Sequence, residues 1–129
     1  MKISQDIEKQ KALSLEIIRD IEAHPNKNYV IDGLRHQVDL DTLSQYFGER
    51  FILLNIQSSF TNMFHRYNKR NHNPITKEEF RSILSNNAER DIISLTMYCY
   101  SRNNIILNNS TYKKYFESVD LKLKELLCL

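Results

Sequence analysis

A chain of 129 residues with a formal charge of +2 and 26% charged residues has the size and balance of one ordinary folded domain, residues 1–129. So small a charge excess gives no reason to expect nucleic acid or an anionic membrane as partner. Nothing in it approaches the roughly 18 consecutive apolar residues of a membrane span.

The first residues (Lys2, Asp6, Glu8, Lys9, Lys11) lack the apolar core of a signal peptide. Cys99 and Cys128 make no disulfide framework, which points to the reducing cytoplasm. The two glycines, Gly33 and Gly48, are too few and too far apart for a dinucleotide fingerprint or a phosphate-cradling loop.

Ile3, Ile7, Leu13, Ile17, Ile18 and Ile21 recur at helical spacing in a charged background, which predicts one long amphipathic helix over 3–23, ended by Pro25. Tyr29-Val30-Ile31 is apolar without alternation, as a buried parallel strand would be, and stops at Asp32-Gly33-Leu34-Arg35. Val38, Leu40, Leu43 and Phe47 predict a second helix closed by Gly48. Phe51–Ile56 reads as a second strand, and Ser58 or Ser59 as the cap of a helix with Phe60, Met63, Phe64 and Tyr67 on one face. Thr76 with Glu79 is a capping-box pattern opening a helix with Phe80, Ile83 and Leu84 inward. A further helix is expected over Ala88–Tyr100, a third strand over Asn104–Leu107, and a last helix capped by Ser110 with its stripe on Tyr112, Tyr115, Phe116, Val119, Leu123 and Leu126. Alternation of strands and helices makes the expected class α/β, a small three-stranded parallel sheet flanked by helices.

In such a fold ligands meet the carboxyl ends of the strands. Asp32 and Arg35 follow the first expected strand, Asn55 and Gln57 close the second, and Asn108 and Asn109 follow the third. Arg66, Lys69, Arg70, Arg81 and Arg90 lie between the second and third; arginines about a helical turn apart suit phosphate oxygens. Taken singly, each of these arginines fits a solvated helix face better than a phosphate site. His24, His36, His65 and His72 have no metal-ligand spacing, and Ser58-Ser59 has no nucleophile elbow around it.

Several of these stretches, in this order, resemble nucleotide-kinase-like P-loop proteins of the dephospho-CoA kinase-like and deoxynucleotide kinase-like groups. Tyr29–Arg35 resembles their "VIDGIR" strand and turn, and Leu43–Phe51 with Tyr46-Phe47-Gly48 the helix and turn that follow. Phe64-His65-Arg66 with Lys69-Arg70 is similar to the "RFERIKKR" helix opening the lid, and Glu89-Arg90-Asp91 stands where the lid-closing acid and arginine do. Asn108-Asn109-Ser110 with Tyr112–Val119 resembles the "NNGSLEELYEKV" ending, so the similarity runs from about residue 10 to 126, with a lid-like segment over about 66–91. Arg102-Asn103 departs from the Ala-Asp pair common in relatives.

In that family a first strand, a glycine-rich P-loop and a helix precede these motifs, so the chain looks like the C-terminal half of the fold without the P-loop. The resemblance implies substrate binding by Asp32, Arg35, Arg66, Arg70 and Arg90, and nucleotide binding by Asn108 and Asn109. It implies a nucleotide- or partner-binding subunit inactive alone or, alternatively, the substrate and lid half of a kinase completed by a P-loop-bearing partner. No cofactor would be bound by this chain alone; ATP and Mg²⁺ would enter on complementation. The missing first strand falls beside the strands matching Tyr29–Ile31 and Phe51–Ile56. Its place would be taken by direct pairing of those two, by a P-loop-bearing protein, or by another copy in a homo-oligomer.

Overall fold

The computed structural model describes residues 2–86 and 91–128, excepting the side chains of residues 2–4. Among them are six α-helices and two strands: α1 (Lys2–Ala23), α2 (Gln37–Phe47), β1 (Asn55–Gln57), α3 (Phe60–Arg70), α4 (Lys77–Asn86), α5 (Ile92–Ser101), β2 (Ile105–Leu107) and α6 (Tyr112–Leu127). The fold is a helix-rich α/β arrangement. Its contacts divide into two compact units, Met1–Leu53 with Glu89–Met97, and Leu54–Ala88 with Tyr98–Leu129.

In the first unit α1 packs on α2. Ile18, Leu40 and Leu43 are buried there, as the helical periodicity of both segments requires. A polar knot lies within this apolar contact: Asp39, 6% exposed, accepts hydrogen bonds from Ser14 Oγ at 2.6 Å and Gln10 Nε2 at 3.0 Å. A buried carboxylate survives only when its oxygens are bonded in this way. Gly48 closes α2 at φ +56°, with its N–H on Ser44 O, a conformation that glycine adopts without strain. The amino end of α2 lacks a cap from His36; instead Asp91 Oδ2 accepts from Gln37 N at 2.9 Å, and Ser94 Oγ donates to Gln37 Oε1 at 2.8 Å. Asp91 thus supplies from 54 positions away the carboxylate that a helix start favours.

The second unit is built on β1 and β2, which pair in parallel with Asn55, Ile56 and Gln57 opposite Ile105, Ile106 and Leu107. The turn that delivers β2 is a Schellman motif: Asn104 N donates to Cys99 O, Asn103 N to Tyr100 O, and Asn103 takes the left-handed φ of +56°. Asparagine is among the few residues that tolerate that region. Phe80 of α4, 4% exposed, is surrounded by Phe60, Phe64 and Tyr67 of α3, with ring centroids 5.4, 5.8 and 5.2 Å away. The expected capping box is formed in both directions, Thr76 N to Glu79 Oε2 at 2.8 Å and Glu79 N to Thr76 Oγ1 at 3.2 Å.

Three sequence expectations are corrected. The sheet among the described residues has two strands, not three, because Tyr29–Ile31 is not a strand: no backbone hydrogen bond joins those residues to another described residue, and Val30 is 97% exposed. An apolar run becomes a strand only where a neighbour accepts its main-chain bonds. The expected strand Phe51–Ile56 narrows and shifts to Asn55–Gln57, opposite the equally short β2. The last helix is capped by Thr111, whose side chain accepts from Lys114 N, not by Ser110.

Candidate functional site

Parallel pairing brings the carboxyl ends of β1 and β2 side by side, and the segments leaving them are tied together. Asn108 N continues the ladder to Gln57 O at 2.7 Å, and Ser58 Oγ donates to Asn108 O at 3.0 Å. Ser59 caps α3 by accepting from Asn62 N. Asn109 completes the same junction: its Oδ1 accepts from Ser59 N at 2.7 Å, and its carbonyl from Asn62 Nδ2 at 3.2 Å.

Arg66 lies two turns into α3, and a long helical side chain leans toward the amino end of its helix. Its guanidinium therefore reaches back to the strand ends. Nη1 donates to Asn108 O at 2.8 Å and Ser58 Oγ at 3.1 Å, and Nη2 makes longer contacts of 3.4 Å to Asn108 Oδ1 and Ser110 O. Each acceptor is neutral, and no carboxylate among the described residues pairs with this arginine. The result is a half-buried cation, geometrically fixed and electrically uncompensated, beside the amino terminus of α3, where the helix dipole is positive as well.

Of the residues that the sequence singles out, Arg66, Asn108 and Asn109 are brought together here. Arg70 is exposed one turn further along α3, its Nε donating to Arg66 O at 3.3 Å. Asp32 and Arg35 belong to the first unit and are exposed, flanking Gly33 at φ +84°. Arg90 lies outside the described residues. Of the other arginines, Arg81 lies 4.9 Å over the ring of Phe60 at the start of α3, and Arg102 3.5 Å over that of Tyr98.

Sequence reasoning missed Asp39 and the capping role of Asp91. For Asp39 a signal was present, since Gln10, Ser14 and Ile18 fall at four-residue intervals and place two polar side chains on an otherwise apolar stripe. For Asp91 no local pattern could reveal a cap offered across 54 residues. An open groove of about 540 Å³ also lies along α1 and α2, lined by Leu15, Ile18, Val38 and Tyr46 with Lys11 and Asp41, but none of the singled-out residues reaches it. Cys99 is fully buried, and burial pushes its thiol above the ordinary range against the lowering pull of Arg102, which makes it a poor nucleophile at neutral pH. Among the described residues no group of three or more His, Cys, Asp or Glu could hold a metal ion, and no helix is long and apolar enough to cross a membrane. No protein-family model, curated protein or solved structure matches the chain.

Proposed function

We propose that this chain is a nucleotide-kinase-like module without a P-loop, which binds a nucleoside phosphate at its strand ends and does not transfer phosphate by itself. The observation that carries the reading is the uncompensated guanidinium of Arg66 at the carboxyl ends of two parallel strands, beside a helix amino terminus. Fixed positive charge of this kind, in the crevice where open parallel sheets meet their ligands, favours an anion. The two 3.4 Å contacts of Arg66 are the ones a phosphate oxygen would displace, while the shorter bonds to Asn108 O and Ser58 Oγ keep the group in place. Arg70, exposed one turn away, adds a second cation, and Asn109 fixes the loop below it.

Inactivity of the chain alone is part of the same reading: phosphoryl transfer on that kind of fold relies on backbone amides of a glycine-rich loop and its lysine, and the two glycines here stand alone. On the resemblance alone, Asp32, Arg35 and Arg90 are also proposed to bind substrate.

The test is an equilibrium titration of the purified chain with fluorescent nucleoside mono-, di- and triphosphates, alongside a phosphate-release assay with Mg-ATP. The expected result is saturable binding that weakens with salt, falls by about tenfold in Arg70→Ala through loss of a charge-assisted contact, and is accompanied by no turnover. No saturable binding by any of the three, or turnover by the chain alone, overturns the reading.

A further inference from the structure

Tyr29, Val30 and Ile31 are strong strand formers, and their main chain makes no backbone hydrogen bond to any described residue. The three are 40%, 97% and 38% exposed, so Val30 at the centre of the run is almost wholly uncovered. Apolar side chains cost free energy when exposed to water, whereas main-chain groups are satisfied by water there and need a partner once any cover excludes it. Elsewhere in the same chain β1 has, among the described residues, a strand on one side only. Ile56 at its centre is 51% exposed, and Asn55 Oδ1 is buried without a partner among the described residues. Parallel strands are ordinarily enclosed on both faces, and a pair three residues long has little independent stability.

We infer that Tyr29–Ile31 of one copy adds as a third strand to the open edge of β1 in a second copy. A second copy is the occupant because one chain carries both halves of the match: an unpaired, uncharged strand former and an unpaired strand edge. Reciprocal exchange about a two-fold axis makes the contact twice in one dimer, each copy giving one strand and receiving one. That doubling brings two short ladders and their apolar side chains into a single interface. The pairing stands on exposure and main-chain accounting alone, whether or not the strand ends hold a nucleotide.

Sedimentation analysis of the full chain across the micromolar range tests it with three variants. Val30→Pro removes a main-chain donor at a fully exposed position, Val30→Thr keeps a β-branched residue there, and Phe116→Lys charges a different exposed apolar site, 59% exposed on α6. The expected result is a concentration-dependent dimer in the unaltered chain, in Val30→Thr and in Phe116→Lys, and a monomer in Val30→Pro. A monomer at every concentration, a dimer that survives Val30→Pro, or one lost only in Phe116→Lys overturns the inference.

Discussion

Ile105–Leu107 and Tyr29–Ile31 are both runs of three large apolar residues, yet Ile106 is 3% exposed and Val30 97%. The first is delivered by a Schellman turn whose geometry Asn103 accepts, finds β1 alongside it, packs against α6, and has its far end held by Asn108 and Arg66. The second is followed by a glycine turn at Gly33 and has no partner for its main chain among the described residues. Side-chain composition does not separate them. What separates them is whether a neighbouring strand and a tied-down exit are supplied, so that main-chain bonds and apolar burial arrive together.

The sharpest way to break that comparison is to truncate the two runs identically. Ile106→Ala removes a buried side chain from a packed site and is expected to cost about 2–5 kcal/mol of unfolding free energy. Val30→Ala, measured in dilute chain, should change it by no more than about 0.5 kcal/mol. Denaturant unfolding of both variants checks the pair; equal losses would mean that Tyr29–Ile31 is as well packed as β2.

A smaller effect concerns the tie at the strand ends. Arg66→Ala deletes two short charge-assisted bonds and leaves Asn108 O and Ser58 Oγ with fewer partners, an expected loss of about 2 kcal/mol. Arg66→Lys should recover little of it, because a single ammonium cannot span the two loops as the guanidinium fork does. Full stability in Arg66→Lys would show that charge, not the fork, holds the ends.

The helices were legible in the sequence because each carries its own signals. Ser59, the Thr76–Glu79 pair and Gly48 all act within a few residues, and each is found at the position the pattern assigns. The second and third strands were legible in kind, though only three residues of each pair. That Tyr29–Ile31 lacks a strand partner among the described residues was not, because a strand is defined by its neighbour and the run itself is silent on whether one exists. At the site, the position of Asn108 and Asn109 after a strand was legible from the apolar run before them, but the approach of Arg66 to them was not, its spacing alone favouring a solvated helix face. That Arg66 would bond carbonyls without any carboxylate was not legible either, since it depends on the exit path of the loop after β2. Asp39 and Asp91 show the same limit from the other side: their partners lie 25 to 29 and 54 positions away.

The measurement that addresses the difference between the two runs most directly is amide hydrogen exchange at Ile106 and Val30, followed residue by residue as the chain is diluted. Ile106 should stay protected at every concentration, whereas the Val30 amide should exchange freely in the most dilute sample and gain protection as concentration rises. Protection of Val30 that persists on dilution, or an Ile106 amide that exchanges as fast as Val30, would contradict the account.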